Sequence, residues 1–249
     1  MTAEPGPLAL AGGGEFLPGN EPNDRVLVDA AARASHARRA GPAFIVASAA
    51  AEQNPEHALA LARSWFAGLG LDVEELPLRT KDQANDPAIV DRARAGRFFY
   101  LTGGDPGLVM SMLEGSAAWS AIVDAWQAGA ALAGSSAGAL AFGELTLTKQ
   151  VEPAQMLTNS RRGFGLVPGV VAVPHLENDG GAALPMVRPV ITGFGGKLLG
   201  LEERTAAVWS NGDWRALGAG KVVVFDSRGE HAYANGALIE GLPPPTRGR

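Results

Sequence analysis

The segment 131–139 reads ALAGSSAGA and contains the pattern G-x-S-x-G, with Ser136 at its centre. It follows an apolar run typical of a buried strand and precedes a helical pattern, which is the context of a nucleophile elbow. Such a tight turn needs small neighbours and lifts the serine Oγ above the sheet edge, while the next N–H, that of Ala137, can stabilise an oxyanion. A plain tight turn or a phosphate-binding loop would use similar residues. The context favours Ser136 as a nucleophile over its neighbour Ser135.

A serine nucleophile needs a base, and the chain offers four histidines. His175 follows the apolar run Val170–Val173 at the end of a predicted strand, which places it at the same sheet edge as the elbow. His36 and His57 lie on the polar faces of predicted helices, and we interpret both as surface residues. His231 lies in a predicted hairpin turn and is the second choice of base.

The third member of a serine triad is a carboxylate that fixes the imidazole tautomer. Composition and spacing cannot choose among the acidic residues that follow the elbow. The candidates are Glu144, Glu152, Glu177, Asp179, Glu202, Glu203, Asp213, Asp226 and Glu230. An order Ser…Asp…His, as in the α/β-hydrolases, would use Asp226 with His231 in an esterase.

The composition removes several other kinds of chemistry. Among 249 residues there is no cysteine, which excludes thiol nucleophiles, disulfides and thiolate metal sites. No group of His and Asp has the spacing of metal ligands, and no cofactor is expected. The net charge of −5 and the aromatic content of 6% argue against nucleic acid as a partner. No signal peptide or membrane-spanning apolar run is recognised, so we expect a cytoplasmic protein that does not contact a membrane.

The hydrophobic pattern predicts the elements that position these residues. Up to about residue 140, short apolar runs alternate with amphipathic segments, which predicts βαβ units and a mostly parallel sheet. Val73–Leu78 is predicted as one further strand, and the pattern after residue 145 predicts mainly strands, with one helix at Met186–Thr192. We therefore predict an α/β fold: a three-layer sandwich of the flavodoxin-like or class I glutamine amidotransferase-like type, with a β-rich C-terminal part. One hydrolase domain, 1–249, is expected, with a frayed tail at 241–249.

Four segments carry a resemblance to a known family. They are Tyr100–Asp105 (YLTGGD), Gly134–Ala139 (GSSAGA), Pro174-His175 and Gly200–Ala206 (GLEERTA). In this order and context the chain resembles the S51 serine peptidases, which include cyanophycinase and the α-aspartyl dipeptidases. The resemblance covers most of residues 7–226. Its most specific part is the SAGA elbow, which follows GGD by about thirty residues.

Carried over position by position, the resemblance implies that Ser136 is the nucleophile and His175 is the base. It implies that Glu203 is the third triad member, because Glu203 holds the Glu position of a G-[IL]-x-E segment. It also implies a second oxyanion donor in the TGGD loop, a backbone N–H of Gly104 or Asp105. Glycines suit this loop because they let the backbone approach a substrate closely.

The sequence departs from the cyanophycinase pattern around the substrate. Pro106 follows the GGD motif where Gln is common, and the loop after His175 carries Glu177 and Asp179 where arginines are common. These acidic residues would favour a substrate amine or guanidinium; the alternative is that they are solvated loop charges. Asp105 is a further candidate for substrate binding.

The sequence thus predicts a serine-dependent hydrolase of a peptide or isopeptide bond, an S51-type exo- or dipeptidase acting on a small peptide. Arg161 and Arg162 are candidates for holding a substrate carboxylate, although an exposed basic pair is the plainer interpretation. Two other functions stay open: a non-catalytic relative that binds a small molecule at the elbow, and the esterase that uses Asp226 and His231. The sequence also leaves open whether the protein is a homodimer.

Overall fold

The computed structural model of the protein describes residues 4–36, 41–146, 161–178, 181, 182, 184, 185, 188, 192 and 195–249. Within these ranges the helices are α1 (Glu21–His36), α2 (Pro55–Gly68), α3 (Pro87–Ala95), α4 (Pro106–Leu113), α5 (Ala117–Gln127) and α6 (Ala137–Phe142). The strands are β1 (Leu8–Ala11), β2 (Ala43–Val46), β3 (Glu74–Glu75), β4 (Phe98–Leu101), β5 (Ala131–Ser135), β6 (Leu145–Thr146), β7 (Arg161–Arg162), β8 (Val170–Pro174), β9 (Lys197–Leu201), β10 (Thr205–Ser210), β11 (Asp213–Gly218), β12 (Val222–Asp226) and β13 (Gly229–Tyr233). The predicted alternation of strand and helix up to residue 140 is therefore observed.

Side-chain caps fix where the helices α2 and α3 begin. Asn54 Oδ1 accepts a hydrogen bond from the N–H of His57 at 3.1 Å, and Asp86 Oδ1 accepts one from the N–H of Ala88 at 2.8 Å. A proline follows each cap, at a position where a helix loses nothing by lacking an N–H. The sequence thus sets these starts locally, because each cap satisfies an N–H that the first helical turn leaves open.

The central sheet has seven strands in the order β11-β10-β1-β5-β4-β2-β3. The strands β1, β5, β4, β2 and β3 are parallel to their neighbours in this run, whereas β10 and β11 extend the sheet in antiparallel fashion. The prediction of a mostly parallel sheet is confirmed. The order places β5, the strand before the elbow, next to β1 on one side and β4 on the other.

Successive residues of β1 contact the two different helical layers. Leu8 and Leu10 belong to a buried cluster with side chains of α3, α4, α5 and α6, whereas Ala9 and Ala11 belong to a second cluster with side chains of α1 and α2. This division follows from the period of two in a strand, whose side chains alternate between the sheet faces. The helices therefore cover both faces, as the predicted three-layer sandwich requires.

The C-terminal part adds two smaller sheets, which confirms the prediction that it is rich in strands. One has the order β13-β12-β9-β8, and the other pairs β6 with β7. Of the helix predicted at Met186–Thr192, the structure describes Arg188 and Thr192, which are helical, and the other residues lie outside the described part. Among the described residues, no helix combines the length and apolar character needed to cross a membrane.

Two segments differ from the sequence predictions. The strand predicted at Val73–Leu78 is reduced to two residues, because β3 is an edge strand paired only with β2. The tail at 241–249, expected to fray, is held by hydrogen bonds instead. Thr246 N–H donates to Leu166 O at 2.8 Å, and Trp214 Nε1–H donates to Pro243 O at 2.8 Å. These long-range partners have no signature in the local sequence.

Candidate active site

Ser136 lies at the turn between β5 and α6, with φ of 48° and ψ of −103°. These angles are rare for a residue with a side chain, and strain of this kind is typical of a nucleophile elbow. The turn needs glycine on both sides. A Cβ on Gly134 would lie 2.5 Å from the carbonyl carbon of Gly138, and a Cβ on Gly138 would lie 2.8 Å from Leu101 O. The G-x-S-x-G pattern therefore forms the tight turn that it predicts.

The loops that follow β1 and β4 flank Ser136, because these strands are the neighbours of β5 and run parallel to it. The loop after β1 contains residues 12–15 (GGGE), and the loop after β4 contains residues 102–105 (TGGD). The Ser136 N–H donates to Ala11 O at 3.0 Å. A Cβ on Gly103 would lie 3.3 Å from the Ser136 Cβ. Both glycine-rich loops thus meet at the elbow, at the carboxyl edge where ligands bind in sheets of this kind.

Ser136, His175 and Glu203 form a chain of hydrogen bonds. Ser136 Oγ lies 2.9 Å from His175 Nε2, and His175 Nδ1 lies 2.9 Å from Glu203 Oε1. In a neutral imidazole this arrangement is satisfied when Nδ1 carries the proton and donates it to the carboxylate. Nε2 is then the acceptor for the serine hydroxyl proton, as a general base must be.

The loop after β1 accepts backbone hydrogen bonds from His175 and from the residue next to Glu203. His175, which follows β8, donates its N–H to Gly12 O at 2.9 Å. Arg204, the neighbour of Glu203 in the turn from β9 to β10, donates its N–H to Gly13 O at 2.8 Å. Gly13 has a φ of 118°, and a Cβ there would overlap the His175 ring. A glycine is therefore required for the imidazole to lie this close to the backbone.

Two backbone N–H groups near Ser136 have no acceptor among the described residues. One belongs to Ala137, the first residue of α6, and the other to Gly104 in the TGGD loop. The prediction that the Asp105 N–H can be an oxyanion donor is wrong, because this N–H donates to Ala49 O at 2.8 Å. The N–H groups of Ala137 and Gly104 therefore stay available for an oxyanion.

A family model matches residues 8–217 of the chain, and its description is peptidase family S51. The chain belongs to peptidase family S51. It is similar to a peptidase from an acI-B1 Actinobacterium whose crystal structure is known, with 26% identity and a TM-score of 0.82 over 96% of this chain and 98% of that chain. A putative peptidase E protein from Listeria monocytogenes EGD-e shares the fold, with 16% identity and a TM-score of 0.59 over 86% of this chain and 99% of that chain. No curated protein matches the sequence. The resemblance inferred from the motifs is confirmed: the protein is an S51 peptidase.

Two of the residues predicted to bind substrate in this S51 peptidase have partners within the chain. Asp105 Oδ1 accepts the N–H of Gly107 at 2.6 Å and caps α4. Glu177 Oε1 accepts the N–H of Glu203 at 2.8 Å, so this carboxylate holds the turn that carries Glu203. Asp179, the third acidic candidate, lies outside the described residues.

The basic candidates lie on the small sheet. Arg161 and Arg162 form β7, which pairs with β6, and both residues are exposed. Among the described residues, no hydrogen bond or ion pair joins either arginine to Ser136, His175 or Glu203. Their role in substrate binding stays a prediction.

Asp226 and His231, the alternative pair, do not form a hydrogen-bonded dyad. Hydrogen bonds from the backbone and guanidinium of Arg228 lower the pKa of Asp226 to about 2. His231 Nε2 lies 3.9 Å from Asp226 Oδ1, which is too far for a hydrogen bond. The Ser136 hydroxyl is paired with His175 instead. The geometry therefore does not support the esterase arrangement. Among the described residues, no three His, Asp or Glu side chains are grouped as metal ligands would be.

Sequence reasoning missed two acidic residues near the S51 site. Glu15 Oε1 accepts the N–H of Gly103 at 2.8 Å, and its Oε2 accepts the hydroxyl proton of Ser135 at 2.9 Å. Asp24 is completely buried, and burial raises its pKa to about 7. For Glu15 a signal was present, since it directly follows the glycine-rich turn after β1 at the edge that carries the elbow. Asp24 lies in the first turn of α1, where an acidic residue is ordinary.

Proposed function

We propose that this S51 peptidase uses Ser136 as its nucleophile, His175 as its general base and Glu203 as the carboxylate that orients His175. The observation that carries the proposal is the pair of 2.9 Å contacts from Ser136 Oγ to His175 Nε2 and from His175 Nδ1 to Glu203 Oε1. The strained turn at Ser136 and its position beside two glycine-rich loops support the same roles.

In the first half of the reaction, Ser136 Oγ attacks the carbonyl carbon of the scissile bond as its proton passes to His175 Nε2. The carbonyl oxygen becomes an oxyanion, which the N–H groups of Ala137 and Gly104 stabilise. His175 then gives the proton to the leaving amine, the C–N bond breaks and an acyl-enzyme remains. Glu203 accepts the Nδ1 hydrogen bond throughout and stabilises the imidazolium.

In the second half, a water molecule takes the place of the amine. His175 removes one proton from the water, the resulting oxygen nucleophile attacks the acyl carbon, and the same N–H groups stabilise the second oxyanion. His175 returns its proton to Ser136 Oγ as the ester bond breaks. The products are a carboxylic acid and the free enzyme, and the reaction consumes one water molecule.

We place the substrate among small peptides or isopeptides, cleaved by an exo- or dipeptidase reaction. The exposed Glu177 lies beside the triad, and its Oε2, which accepts no hydrogen bond from the described residues, suits a substrate amine. The solved structure of a putative peptidase E protein with the same fold is in keeping with this class. Hydrolysis by this route needs no metal and no organic cofactor.

The test compares Ser136→Ala with Ser111→Ala, a matched control on the exposed surface of α4. We expect a fluorophosphonate to label Ser136 in the wild type and in the control, and to leave Ser136→Ala unlabelled. Hydrolysis of a dipeptide and isopeptide panel should fall by at least about 10³-fold in Ser136→Ala alone. Turnover unchanged by Ser136→Ala would contradict the proposal. A wild type that neither reacts with the probe nor cleaves any peptide would support the non-catalytic, small-molecule-binding relative.

A further inference from the structure

Glu15 connects two parts of the site that are far apart in the sequence. One carboxylate oxygen accepts the N–H of Gly103, 88 residues away, and the other accepts the hydroxyl of Ser135, 120 residues away. Gly103 is wedged between this carboxylate and the nucleophile. A Cβ on Gly103 would lie 2.9 Å from Glu15 Oε1 and 3.3 Å from Ser136 Cβ. Glu15 therefore ties the TGGD loop directly to the residue that precedes the nucleophile.

The TGGD loop is anchored on both sides of Gly104. The N–H of Gly103 is held by Glu15, and the N–H of Asp105 is held by Ala49 O. Between these anchors, the N–H of Gly104 has no acceptor among the described residues, and Gly104 has a φ of 139°, a conformation that favours glycine. The two anchors thus fix the peptide unit whose N–H is available for an oxyanion.

We propose that Glu15 is a positioning residue that sets the Gly104 N–H in register with Ser136 and so preforms the oxyanion site. The inference rests on the proposed function, because it assumes that Ser136 is the nucleophile. A hydrogen bond from an N–H to an ionised carboxylate is stronger than one between neutral groups, so it suits a rigid anchor. Rigidity matters here because oxyanion donors act through preorganisation, and a displacement of about 1 Å is costly to the rate.

Two substitutions separate the reach of Glu15 from its charge. Glu15→Gln keeps the length of the side chain: its amide oxygen can accept from the Gly103 N–H, and its NH₂ can donate to the Ser135 hydroxyl, which is also an acceptor. Glu15→Asp keeps the charge but is shorter by about one C–C bond, or 1.5 Å, and cannot span both partners. If Glu15 is a positioning residue, Glu15→Gln should keep the activity and Glu15→Asp should lose much of it.

The readouts are kcat, KM and the affinity for a peptide aldehyde, whose tetrahedral adduct on serine places an oxyanion in the site. We expect Glu15→Asp to lower kcat roughly 10- to 100-fold with little change in KM, and to weaken aldehyde binding by a similar factor. Glu15→Gln should stay within about 5-fold of the wild type, because both hydrogen bonds persist. Glu52→Asp and Glu52→Gln, at an exposed glutamate, are the matched controls and should behave as the wild type.

The outcomes are distinguishable from those that test the triad. If the wild type hydrolyses peptides and labels at Ser136, but Glu15→Asp retains its kcat and aldehyde affinity, the positioning role is overturned. It is also overturned if Glu15→Gln loses as much activity as Glu15→Asp, since the charge would then be the decisive property. Should Glu15→Asp not fold, Ser135→Ala removes only the anchor on the elbow side. That variant must lower kcat with KM retained, and wild-type kcat there would overturn the proposal.

Discussion

Asp24 provides the most quantitative prediction. Its side chain is fully buried, and both carboxylate oxygens accept hydrogen bonds: Oδ1 from Asn23 Nδ2 at 2.9 Å and Oδ2 from Trp65 Nε1 at 2.7 Å. Burial raises the pKa of Asp24 from 3.8 to about 7, although these two hydrogen bonds favour the ionised form. The charges of Glu21 and Glu15 raise it further. Desolvation of the carboxylate is therefore the dominant effect.

The sign of the effect on stability follows from which state holds the proton. Below pH 3.8, both the folded and the unfolded protein keep Asp24 protonated, so ionisation carries no cost. As the pH rises towards 7, the unfolded chain releases the proton first, and the free energy of unfolding falls. Above pH 7 the loss is complete. With a folded pKa of about 7, it amounts to roughly 4 kcal/mol, since each pKa unit corresponds to about 1.4 kcal/mol.

Asp24→Asn removes this ionisation with little change in shape. The introduced amide can accept from Trp65 and donate to Asn23 Oδ1, which has no hydrogen-bond partner among the described residues. The assay is urea unfolding of variant and wild type at several pH values between 4 and 8.5. We expect the free energy of unfolding of the variant, relative to that of the wild type, to increase by roughly 4 kcal/mol as the pH rises from 4 to 8.5. Taking the difference cancels the titration of groups that the two proteins share.

Asp29→Asn, on the exposed side of the same helix, is the matched control. It removes the same charge from a solvated position, so its stability difference from the wild type should vary much less with pH. A difference curve for Asp24→Asn that is flat between pH 4 and 8.5 would refute the reasoning. So would a curve of opposite sign, because it would mean that hydrogen bonds to the carboxylate outweigh its desolvation.

Two further predictions concern the site itself. Glu203→Gln should lower kcat by roughly 10²- to 10⁴-fold with a smaller effect on KM, because an amide no longer fixes the Nδ1–H tautomer of His175. Steady-state kinetics measure this, and a wild-type kcat would contradict it. Gly138→Ala should destabilise the elbow by roughly 2 kcal/mol or more, since its Cβ would lie 2.8 Å from Leu101 O. Thermal unfolding and fluorophosphonate labelling measure this, and a variant with unchanged stability and labelling would contradict it.

The parts of the fold that could be predicted are those with a local physical cause. The buried parallel strands are continuous apolar runs, such as Phe98–Leu101, and a cap with a following proline marks the start of α2 and of α3. The tail could not be predicted, because Thr246 and Arg249 donate to backbone oxygens of Leu166 and Phe164. Nothing near residue 246 indicates a partner about eighty positions earlier.

The residues of the candidate site also differ in whether the sequence alone could predict them. Ser136 and His175 could be inferred from residue type and position, since one serine is at the centre of the elbow pattern and one histidine ends a strand at that edge. Glu203 can be inferred only from the family resemblance, because ten acidic residues follow the elbow and spacing does not separate them. The sequence could not exclude the Asp105 N–H as an oxyanion donor, because its acceptor, Ala49 O, belongs to a short helical turn after β2 that has no clear sequence signature.

The loop after β1 explains why the proposed nucleophile and the proposed base meet although they follow strands of different sheets. Ser136 directly follows β5 of the central sheet, whereas His175 directly follows β8 of the four-stranded sheet. Residues 12–15 contact both His175 and the elbow. Gly12 O accepts the N–H of His175, and the Glu15 carboxylate accepts the hydroxyl proton of Ser135. This short segment therefore joins the proposed base, which it contacts through the backbone, to the elbow, which it contacts through a side chain. A displacement of the second sheet relative to the first would have to break the hydrogen bond from His175 N–H to Gly12 O, so the packing of the two sheets and the geometry of the site are coupled.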